Sequence, residues 1–152
     1  IVIRLSNGYG HPTHKGVNCW MLLVNDLCRQ AVETGRISLQ SSGFQFRDFI
    51  PMTSVYRIIH SLIIKDRHAL GNGVFNVGSG KSMSVGDMAN LTQYRCEKLL
   101  DKEVLLTKPG FKGNNKELYY VVQKLKDTGV DYEIDHINEI DCLIDFCIKH
   151  FS

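Results

Sequence analysis

Apolar positions along the chain change their spacing repeatedly, and the changes divide it into alternating strands and helices. Ile1–Leu5 is apolar and β-branched, the pattern of a buried strand. Ser6–Gly16 interrupts it with glycines, a proline and two histidines, which predicts a loop. Trp20, Val24, Leu27, Cys28 and Ala31 then recur at helical spacing, with Asn18 as the expected N-cap and Gly35 as the stop. Ile37–Gln40 predicts a short strand, Ser41–Gly43 a turn, and Phe46–Ile50 a second short strand ended by Pro51. Val55, Ile58, Ile59, Leu62 and Ile63 form the next helical stripe, capped by Thr53 or Ser54. Gly71–Gly73 predicts a turn and Val74–Val77 a strand. Ser84 and Asp87 form a capping box for a helix reaching about Leu100. Val104–Leu106 predicts a strand, Pro109–Lys116 a mobile loop, and Tyr119–Val122 another strand. A short helix at Lys124–Thr128 ends at Gly129. Asn138 is the expected cap of a final helix whose stripe is Ile140, Leu143, Ile144, Cys147, Ile148 and Phe151. The alternation predicts one α/β domain over residues 1–152.

Composition adds limits. The 152 residues suffice for one domain, and 43% hydrophobic content suits a packed core rather than a disordered chain. Eighteen basic residues against sixteen acidic ones leave +2, too little for a general nucleic-acid binder, so no nucleic-acid partner is expected. The five cysteines contain no C-x-x-C and fall in helical apolar patterns, which predicts reduced core thiols in a cytoplasmic protein. No apolar run is long enough for a membrane span, and no membrane partner is expected. The first residue is not Met and a strand starts at once, so these residues read as a fragment of a longer chain.

Most candidate chemistry gives way to a plainer reading. Gly78-Ser79-Gly80-Lys81-Ser82 follows a strand and precedes a helix. Phe75 stands where a phosphate loop needs its first glycine, and Met83 where a dinucleotide fingerprint needs its third. A tight turn is the better description. His11 and His14 lack a third ligand, so no metal is expected. His60 fits a core or a wet edge, and His68, His136 and His150 the surface. Asp135, Glu139 and Asp141 gather at the start of the last helix, where acids suit the dipole, and receive no function. Two candidates remain. Arg47 shares a strand face with Phe49, so its guanidinium either pairs with a carboxylate, Asp48 included, or is available to an anion. Asn7 leaves a strand end among glycines, where its amide either contacts a ligand or caps its own turn.

The stretch Gly43-Phe44-Gln45-Phe46-Arg47-Asp48-Phe49-Ile50 resembles the G-x-Q-x-R-D-F-[IV] segment of the extended short-chain dehydrogenase/reductase family, the NAD-dependent nucleotide-sugar epimerases and dehydratases. Arg4-Leu5-Ser6-Asn7-Gly8-Tyr9-Gly10 resembles that family's R-x-x-N-x-Y-G. Phe75-Asn76-Val77-Gly78-Ser79-Gly80 with Ser84-Val85 resembles its Y-N-x-G-x-G…S-V. The resemblance implies the C-terminal part of a Rossmann-like, NAD(P)-binding fold, with the cofactor-binding N-terminal half absent. It implies that Arg47 and Asn7 contact the diphosphate of a nucleotide sugar. Ser6 and Gly8 would lie near the nicotinamide of NAD or NADP. Asn18 and Trp20 would border the substrate; Ile37, Leu39 and Gln40 would line the base pocket, with Gln45 beside Arg47.

The same resemblance places the family's catalytic Tyr-x-x-x-Lys and its glycine-rich cofactor loop upstream of Ile1. No catalytic residue is therefore assigned here, and these residues alone are not expected to catalyse a reaction. The sequence departs from the family at Ser54, where an acid is usual, and at Phe111-Lys112, where a phosphate-binding arginine is usual. The leading expectation is the nucleotide-sugar-binding portion of an NAD(P)-dependent epimerase, dehydratase or reductase, with a homodimer formed through the other half. The departures motivate an alternative, a non-catalytic binding or scaffold protein on the same fold.

Overall fold

The computed structural model describes residues 1–110 and 117–152. Residues 111–116, which hold most of the expected loop and Lys112, lie outside the described residues. In chain order the elements are β1 (Val2–Leu5), β2 (Asn7–Tyr9), α1 (Leu23–Thr34), β3 (Arg36–Ser38), β4 (Phe46–Pro51) and α2 (Met52–Ile64). They continue with β5 (Val74–Val77), β6 (Ser82–Ser84), α3 (Val85–Leu100), β7 (Leu105–Thr107), α4 (Gln123–Asp127) and α5 (His136–Phe151). β1 pairs with β5, β2 with β4 and β3 with β7, all parallel, and β6 lies antiparallel on the other edge of β4. This is the α/β architecture the pattern predicts.

β4 stands between two apolar cores. Successive strand residues face opposite ways. Phe49 therefore enters the cluster built on α1, α3 and α5, while Ile50 enters the one built on α2, β5 and α4. Each helix reaches its core by its apolar stripe: Val24, Leu27, Cys28 and Ala31 on α1, Val55, Ile58 and Leu62 on α2, Ile140, Leu143, Ile144 and Cys147 on α5. On α3 and α5, Arg95 meets Asp141 through two bonds of 2.7 Å.

Asp48 ties the two halves of this arrangement. Its carboxylate is fully buried and accepts from Ser79 N (2.8 Å), Ser79 Oγ (2.9 Å) and Gly80 N (2.7 Å). The turn after β5 is thus fastened to β4. Gly78 makes the close approach possible: a Cβ there would lie 2.7 Å from Asp48 Oδ1 and 2.6 Å from the Tyr120 ring.

Several expectations change. β1 is a strand but not a buried one; Val2 is 56% exposed and Leu5 44%, because β5 is its one neighbour among the described residues. The glycine-rich stretch after it begins as a strand, since Asn7–Tyr9 can pair with Phe49–Pro51. α1 starts five residues after Asn18, with Leu22 at the N-cap and no side-chain cap. α2 runs straight from β4 and likewise has no side-chain cap of its own. The carboxylate of buried Glu139 instead accepts from Thr53 N at 3.3 Å. Asp135, not Asn138, caps α5 by accepting from Asn138 N at 3.0 Å. Tyr119–Val122 is not a strand, and β6 has no apolar signature that would announce it. Cys28, Cys96 and Cys147 are buried thiols as expected, whereas Cys19 is half-buried and Cys142 exposed. His60 is exposed. The Ser84 cap is as expected, its Oγ accepting from Asp87 N (2.9 Å), but the Asp87 carboxylate accepts from the Ser84 hydroxyl (2.7 Å) rather than from its backbone N–H, so the box is half formed.

Two stability predictions follow from this packing. Asp48→Ala orphans the Ser79 and Gly80 donors and lowers the unfolding free energy by about 3 kcal/mol or more. Chemical denaturation checks it, and a loss below about 1 kcal/mol contradicts the anchoring role. At Gly10 a Cβ would lie 2.2 Å from Glu139 Oε1, so Gly10→Ala displaces the carboxylate that serves α2. The expected cost is about 1–3 kcal/mol, read as a lowered melting temperature.

Candidate functional site

The parallel pairing of β2 with β4 sets Asn7 opposite Phe49 and Gly8 opposite Ile50. Asn7 Nδ2 donates to the Asp48 backbone carbonyl at 3.1 Å, which orients the exposed side chain. Its amide oxygen has no partner among the described residues. Beside it, Ser6 N donates to Val77 O at 2.9 Å. Ser6 Oγ is the one buried side-chain polar atom without a partner among the described residues. Both residues, with Gly8, line a cleft of about 300 Å³ whose other wall is apolar: Leu22, Leu23, Phe49 and Met52. An amide side chain at a mostly apolar cleft suits an organic ligand with a few polar groups.

Arg47 lies on the same face of β4 as Phe49 and is exposed. Its Nη1 donates to the Phe46 carbonyl at 2.9 Å, and no carboxylate pairs with it among the described residues. Pairing with Asp48 is ruled out by strand geometry, since the neighbour points to the opposite face and is taken by Ser79 and Gly80. The guanidinium is therefore available to an anion.

The other expected site residues are dispersed. Ile37 and Leu39 are buried in the first core, and Gln40 is exposed. Gln45 is half-buried and accepts from Ser41 Oγ at 3.2 Å. Asn18 is exposed, in the irregular segment before α1. Trp20 donates to Lys15 O at 3.0 Å and packs edge-on against Phe151, 4.8 Å between centroids, with the Arg29 guanidinium over that ring at 4.6 Å. Ser54, one of the departures from the family pattern, is buried and donates to Glu133 O, a packing contact that bears on no ligand.

The turn at Gly78–Gly80 explains why its phosphate-loop likeness fails chemically. The amides that would face a phosphate already hold the Asp48 carboxylate. His11 and His14 are exposed, and no group of three metal-ligating side chains exists among the described residues. Among the described residues no helix is long and apolar enough to cross a membrane.

Two features were not foreseen. The Tyr-x-x-x-Lys spacing, which the resemblance places upstream of Ile1, also occurs within these residues at Tyr94/Lys98 and Tyr120/Lys124. Neither pair lines the Asn7 cleft. Lys98 Nζ sits over the Tyr94 ring at 5.3 Å on the exposed face of α3. Tyr120 donates to Arg4 O at 2.7 Å, and Lys124 bonds Asn72 and Val74 O. The second feature is a buried Tyr9 hydroxyl 2.8 Å from His136 Nδ1. His136 is half-buried rather than a surface residue. Burial holds the Tyr9 hydroxyl well above the ordinary tyrosine range, with Glu139 adding to it, and lowers the His136 imidazolium. Both groups are thus neutral near pH 7.

No protein-family model and no curated protein matches the sequence. Solved structures do match the fold. The UDP-glucuronic acid 4-epimerase of Bacillus cereus, in complex with UDP-glucuronic acid and NAD, superposes with a TM-score of 0.70 at 16% identity, over 98% of this chain and 45% of its own. The dTDP-glucose 4,6-dehydratase of Bacillus anthracis, in complex with NAD, gives 0.68 at 18% identity, over 98% and 44%. RMD from Pseudomonas aeruginosa, complexed with NADPH, gives 0.69 at 15% identity, over 97% and 48%. The chain spans about half the length of the structures it matches. Its α/β fold matches the C-terminal portion of these epimerase and dehydratase structures.

Proposed function

We propose that this chain is the nucleotide-sugar-binding half of an NAD(P)-dependent epimerase, dehydratase or reductase. The observation that carries the proposal is the Arg47 guanidinium, without a carboxylate partner among the described residues, on the β4 face that Phe49 extends into the cleft of Asn7. A rigid fork of donors of this kind suits a diphosphate. The structural neighbours include proteins solved with UDP-glucuronic acid and with UDP-glucose. Two features of the same cleft also suit a dinucleotide. Unpartnered Ser6 Oγ and side-chain-free Gly8 could border one end of a dinucleotide. Bound there, the cofactor would accept and return a hydride. The proton-transferring tyrosine would come from a preceding half of the protein, and the open edge of β1 is a surface on which such a half could pack.

Two outcomes are expected of the full-length protein. Arg47→Ala loses an arginine–phosphate bond of about 1.5–3 kcal/mol, so calorimetry shows nucleotide-sugar affinity falling about ten- to a hundredfold. Unchanged affinity removes Arg47 from the site. Ser6→Ala deletes a hydroxyl that has no partner among the described residues, so the melting temperature stays the same or rises slightly. Dinucleotide affinity falls, and a drop in stability with no change in binding would make Ser6 a folding residue only.

A further inference from the structure

A second cleft, of about 470 Å³, opens on the Asp48 side of β4, between the turn after β5 and the start of α5. Its polar groups include Lys81, Ser82 and His136, and its apolar wall is Phe46, Met83 and Ile134. None of these residues lines the Asn7 cleft. The side chains lining it are not all committed elsewhere. Lys81 is exposed and has no carboxylate partner among the described residues. The Ser82 hydroxyl makes no hydrogen bond among them.

His136 is the informative residue. Its Nδ1 lies 2.8 Å from the buried Tyr9 hydroxyl, which has no other partner among the described residues. A buried hydroxyl hydrogen needs an acceptor, so Tyr9 donates and Nδ1 accepts. The imidazole is thereby fixed in the tautomer that carries its hydrogen on Nε2. Ring stacking on Tyr9, 6.1 Å between centroids, holds the orientation. An ammonium, an N–H donor and a hydroxyl consequently share one cleft with an apolar wall. The opposing charges are Asp87, whose Oδ2 already accepts from Ser84 Oγ, and Asp48 and Asp135 near His136, of which Asp48 is held by Ser79 and Gly80 and Asp135 caps α5.

We propose that this cleft is a second binding site, for a small organic phosphate whose oxyanion meets Lys81 and His136 Nε2–H and whose apolar body lies against Phe46, Met83 and Ile134. The site is separate from that of Arg47 and Asn7 and does not depend on what binds there.

Phenyl phosphate is a suitable probe, with inorganic phosphate and phenol as its two halves. The readout is the NMR shift of the His136 ring and the Met83 methyl in the full-length protein. Phenyl phosphate is expected to move both signals saturably, at least about tenfold more tightly than either half. Lys81→Gln weakens it about five- to tenfold while nucleotide-sugar affinity stays as it was. Saturation by inorganic phosphate at the same concentration would mean an adventitious anion site and overturn the proposal. So would the absence of saturable shifts, or an equal loss of both ligands in Lys81→Gln, which would place Lys81 in the Arg47 site. Ser82→Ala gives a second, smaller reduction and leaves the fold's charges untouched.

Discussion

A buried carboxylate holding the turn of another strand is the contact on which this structure depends. Asp48 leaves water completely, which is affordable only because three donors meet it. Those donors are two amides and a hydroxyl from Ser79 and Gly80, so an internal anion occupies the turn. Two consequences follow. The chain around β4 has a fixed register, with Phe49 and Ile50 committed to different cores. The adjacent Arg47 is left on the opposite face, bonded to the Phe46 carbonyl and with no carboxylate partner among the described residues.

That separation gives the R-D-F triplet its physical meaning. Adjacent residues of opposite charge look like an ion pair on paper. On a strand they point apart, so the acid serves the fold while the base stays out of it. Asn7 repeats the division at smaller scale: its amide nitrogen bonds the Asp48 carbonyl, and its oxygen is left open. The same arrangement separates two clefts, one with Ser6, Asn7 and Gly8, the other with Lys81, Ser82 and His136.

The helices were largely legible in the sequence because their apolar stripes are long and regular. The span of α3 and its Ser84 cap matched closely, as did the Gly35 stop of α1, whose φ is 69°. Short strands were less legible. Asn7–Tyr9 is held by pairing with β4 and carries no local signature, and β6 is equally brief and polar. Caps failed where a distant acid replaced a local one: Glu139 serves α2 from across the chain. In the candidate site, Ser6, Asn7 and Gly8 do share a cleft, because they are contiguous. Ile37, Leu39 and Trp20 are drawn into packing that periodicity already hinted at. The Tyr9–His136 contact joins residues 127 positions apart, so no sequence spacing could have announced it.

The most direct test of the central claim is hydrogen exchange on the full-length protein with and without a UDP-sugar or a dTDP-sugar. The account predicts that the Ser79 and Gly80 amides exchange slowly in either state, since Asp48 holds them. It predicts that ligand-dependent protection appears at residues 5–8 and 45–49. Fast exchange at Ser79 and Gly80, or protection confined to other segments, would contradict it.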